Sequence, residues 1–264
     1  MPDSVRILFL GDIIGRPGRQ ALNRFLPELR GRFSPHLVVA NGENAAGGIG
    51  MTESVGRELL DSVDVLTSGN HIWDKKEALT YIKGEPRILR PANYPPPCPG
   101  SGTYLYLDEK GYRVGILNLQ GRVFMEPIDC PFRKAEEEIA ALRKETPLIL
   151  VDFHAEATSE KQALGWHLDG KVSAVIGTHT HVPTADERIL PQGTAYLSDA
   201  GLVGAADSVI GIRRDQAVQR FLTGRPQRFE PEKDGYLLTG VFLEIDAQTG
   251  RALTIERCRM IERP

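Results

Sequence analysis

The chain has 264 residues, enough to bury one sizeable α/β core or two small ones. Its 41% hydrophobic and 25% charged residues are those of an ordinary globular protein, and a net charge of −3 argues against a nucleic-acid coat, a stable nucleic-acid complex or a binder of anionic membranes. Cys98, Cys130 and Cys258 are odd in number and form no CxxC pair, which argues against a disulfide scaffold or a zinc ribbon and reads as isolated reduced thiols.

Residues 5–10 (VRILFL) read as a buried strand, too short for a signal-peptide core and followed at once by Asp12. No later apolar run is long enough for a bilayer, so the expected location is the cytoplasm. Residues 19–30 predict a helix with Ala21, Leu22, Phe25, Leu26 and Leu29 on one side. Residues 37–40 give a second strand, 52–62 a helix capped by Thr52, 65–68 a third strand and 75–83 a helix. The proline-dense stretch 91–99 predicts an ordered loop or linker. Residues 104–107 and 113–119 predict an antiparallel hairpin, and 132–144 a helix. Residues 148–153 and 172–176 are buried strands around a helix at 159–168, and 194–197 is a short strand. A loop at 201–211, a helix at 214–222, a second loop at 225–234 and a closing hairpin of 236–245 with 252–261 complete the chain. The βαβαβα opening followed by hairpins suggests two sheets in one domain spanning 1–264, with helices outside.

The unusual polar residues fall just after predicted strands. Gly11-Asp12, Asn41-Gly42-Glu43-Asn44, Gly69-Asn70-His71, His154-Ala155-Glu156 and Gly177-Thr178-His179-Thr180-His181 each follow an apolar run. Ligands of α/β sheets bind outside the carboxyl ends of the strands. Carboxylates suit hard ions and imidazoles suit the Zn, Fe, Ni and Mn class. Of six histidines, His71, His154, His179 and His181 sit at these ends, leaving only His36 and His167 elsewhere. Each residue has a simpler reading alone: Asp12 as a helix cap, Glu43 and Asn44 as turn residues, His154 as a buried hydrogen-bonded histidine. Those readings would have to hold independently at five strand ends. His179 and His181, at i and i+2 on an expected extended segment, would point the same way toward neighbouring metals.

In this order the motifs resemble the calcineurin-like metallophosphoesterase superfamily. Two motifs depart from its usual pattern: Asp12-Ile13-Ile14 stands where Asp-x-His is usual, and Asn41-Gly42-Glu43-Asn44 where Gly-Asp is usual. With Gly69-Asn70-His71-Ile72-Trp73-Asp74 and Asp152-Phe153-His154-Ala155-Glu156-Ala157-Thr158, these departures are similar to one branch, the YmdB-like family of bacterial 2′,3′-cyclic-nucleotide phosphodiesterases. The resemblance covers nearly the whole chain. It implies a four-layer αββα sandwich, two metal ions per subunit (iron, with manganese as the alternative) and a homodimer or homotetramer.

On that resemblance Glu43 bridges both ions, Asp12 and His181 hold one, and Asn70, His154 and His179 hold the other. Asn44 fills the place of the missing histidine as a ligand of the first ion; the alternative is that it only orients Glu43. Two metals about 3.5–4 Å apart would hold a hydroxide for in-line attack on phosphorus. His71, beside Asn70, is the expected general acid, a role typically contributing ~10²–10⁴-fold. Asp152 or Glu156 could orient an imidazole, and Glu156 could instead face the substrate. Residues 201–211 resemble a substrate-side loop in which Ser208 would contact phosphate or ribose. The expected substrate is a cyclic nucleotide or another phosphodiester. A broad phosphomonoesterase and a metal-dependent nucleotide sensor are the competing readings; a pure sensor has no need of a leaving-group acid.

Overall fold

The computed structural model describes residues 3–263. The opening alternation forms β1 (Ser4–Ile13), α1 (Gly15–Phe33), β2 (Leu37–Asn41), α2 (Glu53–Leu60) and β3 (Val65–Thr67). Ala21, Leu22, Phe25, Leu26 and Leu29 line the buried side of α1, and the Thr52 hydroxyl caps α2 by accepting from the Val55 amide at 3.3 Å. A 3-10 turn (Asn70–Trp73) then takes the chain off β3, so α3 (Ala78–Gly84) starts three residues later than expected. The predicted hairpin is β4 (Thr103–Leu107) with β5 (Arg113–Gln120). It is followed by α4 (Pro131–Leu142), β6 (Ile149–His154), α5 (Thr158–Leu168) and β7 (Ala174–Thr178).

The third quarter departs most from expectation. A two-residue strand, β8 (Arg188–Ile189), precedes β9 (Ala195–Leu197), and the start of the expected 201–211 loop is itself a strand, β10 (Leu202–Gly204). β10 exists because β1 overruns its predicted end: Asp12 and Ile13 pair in parallel with Leu202 and Val203. The chain closes with α6 (Arg214–Thr223), β11 (Tyr236–Asp246) and β12 (Ala252–Glu262).

One sheet has the order β12-β11-β10-β1-β2-β3, with β11 also pairing directly with β1; the other has the order β4-β5-β6-β7-β9-β8. Successive residues of a strand face opposite sides. Val5, Ile7 and Phe9 of β1 therefore pack inward with Ile116, Leu150 and Ile176 of the other sheet, while Leu8 and Leu10 pack outward against α1. The outer face of the second sheet is covered by α4 and α5 through Ala135, Ile139, Leu164 and Leu168. The result is four layers, αββα, as expected. β1, β2 and β3 run parallel, as do β5, β6 and β7, and their carboxyl ends open on one rim. No helix of the described residues is long and apolar enough to cross a membrane.

Candidate metal centre

Asp12 and His154 lie inside their strands rather than after them, and both are fully buried. Glu43 and Asn44 follow β2, and Asn70 opens the turn after β3. Gly69 is required there by close approach: a Cβ would stand 2.0 Å from Cδ2 and 2.2 Å from Nε2 of His154. Its absence lets the exit of β3 pass against the imidazole.

The side chains converge in two adjoining groups. His154 Nε2 lies 3.0 Å from Glu43 Oε1, 3.2 Å from Asn70 Oδ1 and 3.0 Å from His179 Nδ1. On the other side, Asn44 Nδ2 lies 3.3 Å from His181 Nε2 and 3.4 Å from the same Glu43 Oε1, and His181 Nε2 is 3.7 Å from Asp12 Oδ1. Glu43 thus touches both groups. Every predicted metal-ligating residue takes part in one of them.

The imidazoles are oriented by neighbours. The Thr178 hydroxyl donates to Asp152 Oδ1 at 2.7 Å and so accepts from His154 Nδ1 at 3.0 Å, leaving Nε2 facing the cluster. Asp152 therefore acts on His154 through Thr178. Asn41 Oδ1 accepts from the Glu43 amide at 3.1 Å and fixes the turn that carries Glu43. His181 Nδ1 donates to the Ile210 carbonyl at 3.0 Å, so its Nε2 keeps a lone pair toward Asn44 and Asp12.

The expected extended run through His179 and His181 is not what the chain adopts. Both have positive φ, 101° and 62°. This backbone is uncommon for side-chain-bearing residues and sends the two rings to different groups. It is pinned from beneath: Asp12 Oδ2 accepts from the His179 amide at 3.2 Å, and Asp199 Oδ2 accepts from the amide and hydroxyl of Thr180 at 3.1 and 2.9 Å. Buried Lys161 donates to the Thr178 carbonyl and to Asp199 Oδ2, both at 2.7 Å.

A test of whether these residues suit a cation comes from Asp12. Its Oδ1 is buried and has no hydrogen-bond partner among the described residues, an expensive situation for a carboxylate that a cation relieves. Burial raises Asp12 well above the usual carboxylate range, and the neighbouring Glu43, Asp199 and Asp152 carboxylates add to it. Burial opposes the charged form of His154 most strongly, but the adjacent Glu43 carboxylate together with Asp12 and Asp152 outweighs it and raises the imidazole to about 9. The same contact, against burial, lowers Glu43 to about 2. Burial and then the charge of His154 bring His179 down to about 3, a neutral ring with a lone pair to give. Ligand atoms of Glu43, His154 and His179 all lie within 4.8 Å of one another. The donor set fits a metal.

A cavity of about 610 Å³ opens over the cluster, with His71 and Glu156 at its sides, large enough for a nucleotide. His71 Nδ1 is held by Asp74 Oδ2 at 2.7 Å, and its backbone amide donates to Glu43 Oε2 at 3.0 Å. Glu156 is half-exposed and its Oε2 lies 3.2 Å from His179 Nε2, so it contacts His179 rather than His154. Ser208 is not in the cavity wall. Its hydroxyl donates to the Ala205 carbonyl at 2.9 Å and accepts from the Gly211 amide at 3.0 Å, shaping its own loop. A second cavity of about 630 Å³, near Arg90 and Cys130, holds no ligand cluster among the described residues.

Sequence reasoning missed Asn41, Asp74, Thr178, Lys161 and Asp199. Asp74 alone carried a signal, its i+3 spacing from His71.

Residues 8–258 match the family model described as YmdB-like protein. The chain belongs to the YmdB-like family. It is 50% identical over 254 residues to a 2′,3′-cyclic-nucleotide 2′-phosphodiesterase of Bacillus subtilis (strain 168), covering 96% of each chain. It matches the crystal structure of a novel phosphatase from Mycoplasma pneumoniae with a TM-score of 0.93 and 36% identity, covering 100% of this chain and 95% of that one. A hypothetical protein from Thermus thermophilus matches with a TM-score of 0.90 and 42% identity, over 98% of this chain and 100% of that one. Phosphoester chemistry is thus named for both the Bacillus subtilis and the Mycoplasma pneumoniae relatives.

Proposed function

We propose that this chain is a dinuclear-metal phosphodiesterase that hydrolyses cyclic nucleotides, foremost 2′,3′-cyclic nucleoside monophosphates. The observation that carries the reading is the position of Glu43 Oε1, which meets His154 on one side and Asn44 on the other. It supports two adjoining cation positions sharing Glu43: one held with Asn70, His154 and His179, the other with Asp12, Asn44 and His181. Mixed carboxylate, amide and imidazole donors suit iron, with manganese as the alternative. When bound, such a pair supplies an activated water and positive charge against the phosphate oxygens.

The chain's own residues do the rest. His71 holds a proton at Nε2 and gives it to the departing ribose oxygen. Asp74 accepts from Nδ1 and fixes the ring's direction. Asn41, Thr178 and Asp152 hold the carboxylate and imidazole donors in register. Glu156 steadies His179 at the cavity edge. The name of the Bacillus subtilis relative supports the choice of substrate. The free thiols of Cys98, Cys130 and Cys258 support a cytoplasmic setting. The exposed apolar stripe of Val218, Phe221 and Leu222 on α6 supports a homodimer or homotetramer that covers it. Light scattering of Phe221→Glu beside the parent chain tests that assembly.

The test of function is hydrolysis of 2′,3′-cAMP, 3′,5′-cAMP and bis-p-nitrophenyl phosphate by iron- or manganese-loaded protein, beside His71→Ala and Glu43→Ala. Turnover of the 2′,3′-cyclic substrate that both substitutions abolish is the expected result. Protein shown to hold two metals but inert toward every diester would overturn it in favour of a phosphomonoesterase or a sensor.

A further inference from the structure

The cavity lining is of two kinds. The floor is the ligand cluster with His71 and Glu156. Beside it in the lining are four apolar side chains: Ile49, Ile210, Ile212 and Phe229. They come from three loops that are tied to each other. The Arg213 amide donates to the Glu230 carbonyl at 3.0 Å, and the Glu232 amide to the Gly211 carbonyl at 2.9 Å. The Glu230 amide donates to Gln216 Oε1 at 2.8 Å. Pro231 seats on the glycine loop so closely that a Cβ on Gly48 would stand 2.9 Å from its Cγ. The backbone just after Phe229 is therefore fixed, although it lies in an irregular segment. Phe229 is 45% exposed, and no aromatic ring of the described residues stacks on it.

We infer that Phe229 is a specificity-determining residue: the platform on which the nucleobase of the substrate stacks while the phosphate faces the ligand cluster. The inference rests on the cyclic-nucleotide reading above. A nucleotide has one anionic end and one flat, largely apolar end, and the two kinds of lining in this cavity match them. No lysine or arginine lines the cavity, so the anionic end is directed to the floor. The apolar wall has isoleucine and phenylalanine side chains and none able to hydrogen-bond a base edge, so it accepts any base by its face. Stacking of this kind is sequence-tolerant and typically changes affinity about tenfold or more per base. Purines are then favoured over pyrimidines only by their larger stacking area.

The test compares the parent chain, Phe229→Ala and Phe229→Trp on 2′,3′-cAMP, 2′,3′-cCMP and base-free ribose 2′,3′-cyclic phosphate. Phe229→Ala is expected to raise KM for 2′,3′-cAMP about tenfold, to leave kcat nearly unchanged and to leave the base-free substrate unaffected; Phe229→Trp restores KM. In Phe229→Trp, 3′-AMP is expected to quench the new indole fluorescence and ribose 3-phosphate to leave it unchanged. An equal effect on the base-free substrate, or no effect on 2′,3′-cAMP, overturns the inference while leaving the proposed activity standing. A loaded parent chain that turns over none of the three overturns both, and does so before any substitution is made.

Discussion

His71 and Asp74 are joined ring to carboxylate, Nδ1 to Oδ2 at 2.7 Å, across a single 3-10 turn. The His71 backbone amide binds Glu43 Oε2 at 3.0 Å, so one residue ties the proposed acid to the proposed bridging ligand. His71 Nε2 makes no hydrogen bond among the described residues, and the ring borders the cavity. His71→Ala is expected to lower kcat by ~10²–10⁴-fold with metal content unchanged. Asp74→Asn keeps the turn and the ring but loses the anionic acceptor, so kcat falls by about tenfold with KM preserved. Steady-state kinetics beside metal analysis checks both. Loss of metal from Asp74→Asn would make Asp74 a support of the ligand cluster instead.

Metal binding should release protons, and the direction follows from His154. Its imidazole is raised to about 9 because, against burial, the Glu43, Asp12 and Asp152 carboxylates together favour the charged ring, so near pH 7 the metal-free protein carries a proton there. A cation binds the neutral ring and must displace it. Manganese affinity is expected to climb by up to about tenfold per pH unit and to level off near pH 9. The metal-free protein should respond oppositely. A raised folded-state pKa contributes stability that is full below the unfolded value of 6.5 and is lost as pH rises through about 9. Calorimetric titration in buffers of different ionisation enthalpy measures the released proton, and thermal melts across pH 6–10 measure the second effect.

Much of the candidate site was legible in the sequence because its clustered polar side chains sit where strands end, and short apolar runs mark strand ends well. Asp12, Glu43, Asn70 and His154 were all found that way. The run through His179 and His181 was legible in identity but not in conformation, because the positive φ of both residues is imposed by contacts from Asp12 and Asp199. β10 was invisible for a similar reason: three residues of strand form only because β1 overruns to meet them. Lys161 reads as a solvent-facing residue of a helix, and nothing near it announces a partner 38 positions away. Contacts made across the fold leave no local pattern.

Gly69 offers a test of how tightly the centre is packed. A Cβ there would overlap the His154 ring at 2.0 Å, and the ring has no room to retreat because Thr178 holds its other edge at 3.0 Å. Gly69→Ala is expected to fold, since the residue is not in the left-handed region, but to lose metal from the group that His154 serves. Activity should drop by about 10²-fold or more, in line with the loss of a precisely placed group. Metal content near that of Glu43→Ala is the expected reading; full occupancy with normal turnover would mean the β3 exit can shift without cost.

Lys161 and Asp199 form a buried pair, 2% and 1% exposed, directly beneath the residues that carry His179 and His181. Taking two charges out of water is costly, and such a pair is weak evidence for stability by itself. Its geometry indicates a positioning role instead. Asp199 Oδ2 receives Lys161 together with the Thr180 amide and hydroxyl, while Lys161 also holds the Thr178 carbonyl. Lys161→Met leaves a buried carboxylate without its cation and is expected to cost about 3–5 kcal/mol in denaturant unfolding. Asp199→Asn strands the ammonium but keeps an acceptor for Thr180, so it should cost less in metal affinity than in stability. Combining the two removes both charges, and the double variant should recover part of the lost stability, the mark of a coupled pair. Metal affinity should recover less than stability, because the Thr178 carbonyl still lacks the Lys161 ammonium that holds the bent backbone leading to the two histidines. If affinity returns together with stability, the bend is set by Asp12 and the cation alone.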